Sequence, residues 1–361
     1  MTGVKPQHPR ALSSRAAALN LEGAAITLGG AALVLGALVS LPFFWGRALP
    51  IAGPGSVSQF AALSGSVVAL VAYAIGRLWH RNALTPFGGR PSQEADPGHR
   101  RTLTAIDVFD TVVIALAHAI IALLGWLVLG AVMAAGFTDA TVYSLAGTAL
   151  AGAAAAVTAY AVFLSATRMD LMRLSTVLGA FAITGLLASM LSAPDPHWWQ
   201  LHLSALGMSN SISSLTFNLT LIIAGLMMTA IARYATDLRG VGDPVQRSRV
   251  LRLRVCLILI GVLLAGVGLF PLDVSKVLHN VSAVGMLITF TFVVFWVRRA
   301  LPGAPRSFLV YGYVSFAVIV VAAVFFVTGY YVLTATELVA GVMVFSWLIV
   351  YLRVSGAAAR T

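Results

Sequence analysis

Apolar and polar positions divide this chain into ten long hydrophobic runs separated by short polar stretches. The runs fall at about 22–45, 58–78, 106–135, 143–166, 174–193, 213–234, 253–271, 279–297, 308–328 and 332–352. A spanning α-helix needs about 20 mostly apolar residues, so each run predicts one. The first run exceeds the about 7–15 residues of a secretory hydrophobic region, and no small-x-small cleavage site ends it. It predicts an uncleaved first span. An even number of spans puts both ends of the chain on one side. The fold class is therefore all-α: a polytopic integral membrane helix bundle of about ten transmembrane helices, both termini cytoplasmic.

Composition sharpens this reading. Of 361 residues, 59% are hydrophobic and 10% charged, with mean hydropathy +0.93, where a soluble domain carries about 25% charged residues. A net charge of +11 would suggest nucleic acid in a soluble protein. Here 21 of the 23 Lys and Arg fall on the side that also holds the termini, and only Arg47 and Lys276 fall on the other. Loop cations of this kind set membrane orientation, so no nucleic-acid partner is expected. The single cysteine, Cys256, cannot form an internal disulfide.

The expected organisation is a disordered basic N-terminus over 1–20, a four-helix membrane region over 21–167 and a six-helix membrane domain over 174–353. The stretch HRNALTPFGGRPSQEADPGHRR, rich in Pro, Gly and charge, reads as a mobile cytoplasmic loop. Helix four carries Gly147, Ala151, Ala155 and Ala159 at four-residue spacing, which lets helix backbones approach closely in lipid.

Ionisable groups inside a span cost about 2.5–3.5 kcal/mol each on insertion scales, so the few present each need a reason. Most outward polar residues lie in two loops. The first is PDPHWWQLHLSALGMSNSISSLTFN, with Asp195, Trp198, Trp199, His197, His202, Ser204, Asn210 and Asn218. The second, GLFPLDVSKVLHN, supplies Asp273, Lys276, His279 and Asn280. Residues three and four apart share a helical face, so the second group is expected on one face. Three readings stand side by side. In the first, Asp273 caps a helix while His279 and Asn280 bond a neighbouring helix. The second is a headgroup or small-ligand site. The third is a metal-assisted hydrolase with Asp273, His279 and His202 or His197 as ligands and Ser204 or a metal-bound water as nucleophile.

In helix three, Asp107 and Asp110 lie near the cytoplasmic end, where solvation or the helix's positive end explains them. His118 lies deeper. It bonds a neighbouring helix or belongs to an ion or proton path. Glu337, well into helix ten, is a second candidate for such a path, and its depth also allows it to face the pocket of His279.

The elements LSALG (203–207), TFNLTLIIAGL (216–226), GLFPLD (268–273) and HNVSAVG (279–285) resemble a prokaryotic six-helix membrane family classed only as a domain of unknown function. That family is distantly similar to the eukaryotic Frag/DRAM/Sfk membrane proteins. The resemblance covers about 174–353. It implies a Ser-x-x-Gly element at Ser204 and Gly207, an Asn at Asn218, and a Phe-Pro-x-Asp then His-Asn pair at Phe270, Pro271, Asp273, His279 and Asn280. The eukaryotic proteins are associated with lipid handling, membrane organisation and trafficking.

Together these readings predict a multi-pass protein of the cell membrane that binds or organises lipid or envelope components at the outer leaflet. Asp273 and His279 would orient a polar headgroup, Asn218, Asn280, Ser204 and His202 would line the site, and Trp198 and Trp199 would sit at the interface. Membrane lipids are the expected partners. No cofactor, resident metal or protein partner is read from the sequence. A metal-dependent hydrolase and a secondary transporter are the alternatives.

Overall fold

The structure, a computed structural model, describes residues 9–79, 105–167, 169–236, 238 and 242–358. The expected mobile loop and the first eight residues of the basic N-terminus lie outside the described residues. Among the described residues, ten helices are long and apolar enough to cross a membrane. They are α1 (Pro9–Phe44), α2 (Val57–Trp79), α3 (Ala105–Gly136), α4 (Ser144–Thr167), α5 (Leu171–Leu191), α6 (Ile212–Ala235), α7 (Pro244–Leu269), α8 (Lys276–Ala300), α9 (Arg306–Val327) and α10 (Leu333–Ala358). α1 is already helical from Pro9, within the stretch expected to be disordered.

Local chemistry sets the other boundaries. α7 starts well before its apolar run, because Asp243 accepts from the N–H groups of Val245 and Gln246 and Pro244 occupies the first helical position, where its missing N–H is no loss. Arg247, Arg249 and Arg252 thus lie on a helix, not in the loop the hydropathy pattern suggested. α5 is capped by Asp170, which accepts from Arg173 N at 2.9 Å.

Two compact units divide these helices: residues 118–168 with the chain up to 84, and residues 85–117 with the chain from 169. In the first unit α4 packs against both α1 and α2. Ala151, Ala155 and Ala159 are buried, and a Cβ on Gly152 would come 2.7 Å from the Leu33 carbonyl oxygen. The stripe of small residues on α4 is a packing surface. A short antiparallel ribbon, β1 (Ala48–Pro50) with β2 (Thr141–Tyr143), joins two loops of this unit. The hydropathy pattern did not anticipate it, because three-residue strands carry no periodicity.

In the second unit α5 packs on α6, α6 on α7, and so on to α9 on α10, and α10 closes the ring on α5. Its centre is filled by Leu178, Phe181, Met227, Leu257, Phe290 and Trp347, all buried. Trp347 stacks on Phe308 and on Tyr351 with ring centroids 5.3 and 5.7 Å apart. Outside the ring, Val277, Val281, Val284 and Ile288 recur along α8 at helical spacing, and all are exposed. A soluble protein rarely presents so continuous an apolar stripe; acyl chains cover it without penalty.

One expectation fails here. Asp110 is neither solvated nor a cap: it is fully buried, ion-paired with Arg233 and accepting from the Tyr234 hydroxyl at 2.5 Å. A buried charge must be paired, and the last turn of α6 supplies the partners.

α6 and α7 approach closely in the ring, where a Cβ on Gly261 would lie 2.6 Å from the Gly225 carbonyl oxygen and 2.9 Å from Thr229 N. Gly261→Val is expected to lose about 1–3 kcal/mol through overpacking, read as a lower melting temperature in detergent. Gly341→Ala, with nothing within 4 Å of the added carbon, is expected to melt like the parent.

Candidate functional site

The site forms at the end of the second unit where α5 and α7 finish and α6, α8 and α10 begin. α5 stops at Ser192, whose N–H donates to the Ala188 and Met190 carbonyls, and Pro194 and Pro196 cannot continue a helix. The chain then makes two 3-10 turns, Trp198–Gln200 and Leu203–Gly207, before Ser211 and Ser214 form a capping box that starts α6. Non-helical backbone next to hydrocarbon needs partners from elsewhere in the protein.

Three side chains supply them, and a fourth bonds the Ser204 hydroxyl. The Glu337 carboxylate on α10 accepts from Leu203 N at 2.5 Å and also from the N–H of Ser204. Asn218 on α6 donates from Nδ2 to the Gly207 carbonyl at 2.9 Å. A Cβ at Gly207 would lie 2.5 Å from Asn218 Oδ1, so the close seat requires glycine. Asp273, in the turn between α7 and α8, accepts from Ser209 N at 3.0 Å. That contact holds Ser209 at a φ of 71°, a conformation uncommon outside glycine. His279 on α8 makes the fourth link, at 3.1 Å between its Nε2 and Ser204 Oγ.

The tautomer of His279 follows from its other contact. Nδ1 lies 3.0 Å from the Phe270 carbonyl oxygen, which only accepts, so Nδ1 carries a proton. In the neutral ring Nε2 is then an acceptor, and the Ser204 hydroxyl donates to it. Both residues are buried, His279 at 4% and Ser204 at 8% exposure. His202, the first residue before the LSALG turn, is close enough to His279 for the two rings to interact. Its Nδ1 is buried and has no partner. Burial, and secondarily the charge of His279, push the His202 imidazole below its ordinary value.

The structure gathers Ser204, His202, His279, Asn218, Asp273 and Glu337 around one short segment. It does not gather the remaining candidates. α8 begins at Lys276 with Ser275 as its cap, accepting from Leu278 N. Asp273 is therefore not the helix cap, and the expectation that 273, 276, 279 and 280 share a face fails. Of the helical three, only His279 turns inward, while Lys276 and Asn280 are exposed. Trp198 is half-buried and Trp199 exposed. Asp195 and His197 pair with each other at 3.7 Å, both largely exposed. Among the described residues no group of three His, Cys, Asp or Glu could hold a metal ion. Both ring nitrogens of His279 are engaged, so the ligand set of the metal-hydrolase reading is not assembled.

In the first unit, His118 Nε2 lies 2.9 Å from Ser165 Oγ on α4, and its ring packs on Tyr73 at 5.1 Å. The Phe270 carbonyl as partner of His279 was not foreseen, and no sequence signal marks a backbone oxygen for that role.

Ten apolar helices, an exposed apolar surface and an internally bonded non-helical segment define a multi-pass helical membrane protein. Within it, residues 176–354 match the family model described as "Protein of unknown function (DUF998)". Those residues contain every side chain that pins the LSALG segment. Neither a curated protein nor a solved structure matches the chain.

Glu337→Ala strips the Leu203 and Ser204 N–H groups of their acceptor, an expected cost of about 1–3 kcal/mol. Melting temperature should fall, and limited proteolysis should now cut between residues 192 and 211. The depressed His202 gives a pH signature with a definite sign. The unfolded chain takes up a proton near the ordinary histidine value of about 6.5 and the folded one only at lower pH, so stability is lost as pH falls through that range. Acidifying from about 7.5 to about 5.5 should lower the melting temperature, and His202→Gln should flatten that slope.

Proposed function

We propose that this protein binds or organises lipid, or a related cell-envelope component, at the outer leaflet of the cell membrane. The charge distribution supports this orientation, with the arginine-rich helix ends assigned to the cytoplasm and the LSALG segment to the opposite side. The observation that carries the reading is His202 Nδ1, a buried polar atom without a partner in a cluster whose other polar groups are bonded. Such an atom costs about 1–3 kcal/mol, and an ester or headgroup polar atom would complete it. Beside it the exposed Trp199 and Leu201 offer an apolar flank for an acyl chain, since aromatic rings favour the headgroup level. The distant similarity of the family that residues 174–353 resemble to the Frag/DRAM/Sfk proteins, with their association with lipid handling, belongs to this proposal.

The test is lipid retention. Protein extracted in mild detergent should carry a defined lipid species, measured by mass spectrometry after organic extraction. His202→Ala should reduce it about fivefold, the equivalent of one hydrogen bond of about 1 kcal/mol, while the exposed His197→Ala should not. Equal retention by both variants and the parent refutes the reading.

A further inference from the structure

The Ser204–His279 pair has more order than a packing contact requires. A serine nucleophile needs a base within hydrogen-bond reach and a third group that fixes the base. Here Ser204 Oγ is 3.1 Å from His279 Nε2, and the Phe270 carbonyl, 3.0 Å from Nδ1, holds the ring in the tautomer that leaves Nε2 free to accept. Glu337 fixes the backbone that carries the serine by accepting from Leu203 and Ser204 N–H. The serine comes from one stretch of chain, the base and its orienting carbonyl from another 75 residues away, and no metal is required.

We infer that Ser204 is an acyl-accepting nucleophile with His279 as its general base, acting on the carboxylic esters of acyl lipids. This rests on the reading that a lipid reaches the LSALG segment. Ser204 Oγ bonds to the ester carbonyl carbon while its proton passes to His279 Nε2. The carbon–oxygen bond to the alcohol then breaks, and the departing oxygen takes the proton from His279. Water repeats the two steps on the acyl-serine and releases the free acid, restoring the Ser204 hydroxyl. Because Glu337 occupies the N–H groups of Leu203 and Ser204, they do not serve the developing oxyanion. That role is assigned to the unpartnered ring edge of His202, two residues before the serine. A carbonyl backbone acceptor in place of a carboxylate leaves the imidazolium less stabilised than in a Ser-His-Asp triad, so turnover should be slow and the acyl-serine long-lived.

The experiment uses the full-length protein in detergent with a long-chain alkyl fluorophosphonate and, in parallel, a p-nitrophenyl fatty-acid ester. Peptide mass spectrometry should find the adduct on Ser204. Ser204→Ala should abolish it. His279→Gln keeps an amide to bond Ser204 but cannot take its proton. It should retain the parent's melting temperature and lose about 100-fold or more in labelling rate, the usual range for a general base. No adduct on Ser204 with either reagent in monodisperse protein overturns the inference, and so does labelling that His279→Gln leaves unchanged. If the parent still carries its His202-dependent lipid while Ser204 stays unlabelled, the binding proposal stands and only the chemistry falls.

Discussion

Backbone that leaves the helix inside a membrane protein must find its hydrogen-bond partners within the protein. The segment between α5 and α6 is where this chain meets that constraint most visibly. Two prolines end α5, and the chain crosses the mouth of the ring in two 3-10 turns. Backbone groups of this segment are met by side chains from different neighbours: Glu337 from α10, Asn218 from α6 and Asp273 from the turn before α8. His279 and Ser204 belong to the same arrangement. The concentration of polar residues in an apolar chain is thus first a consequence of backbone satisfaction, and the unpartnered edge of His202 is what remains over.

The opposite end of the helices handles charge differently. There Asp110 is buried against Arg233 and Tyr234, and Arg254 donates from Nε to Thr236 Oγ1 at 2.9 Å. The guanidinium groups of Arg252 and Arg299 both lie against the Trp296 ring, 5.3 and 5.4 Å from its centroid. Arginine suits this position, since its planar cation stacks on aromatic rings and bonds carbonyls at once. The basic residues at this end also tie helix ends together.

Much of this was legible before any coordinates. Ten apolar runs became ten helices because spanning length and hydropathy are properties of single segments. The α4 stripe was legible for the same reason. Contacts between distant segments were not. Ser204 and His279 stand 75 residues apart, and the short motifs that contain them say nothing of a bond between them. The depth of Glu337 in α10 hinted at the same pocket, but its partner is a backbone N–H, which every residue possesses. Asp110 was misjudged because its position near a helix end suggested water, whereas Arg233 and Tyr234, more than 120 residues later, close over it. The start of α7 was mislocated by hydropathy although Asp243-Pro244 is a legible cap, because charge on the first turns outweighed it.

Ring closure of α10 on α5 has a temporal side. Synthesis delivers Ser204 long before Glu337, so a nascent chain that has inserted α5 through α9 still holds the LSALG backbone without its carboxylate. Only when α10 enters the bilayer does that acceptor arrive. The pocket accordingly matures no earlier than α10, and a ribosome stalled ahead of that helix would leave a membrane-inserted chain with every polar residue of the neighbouring helices but no finished place to use them.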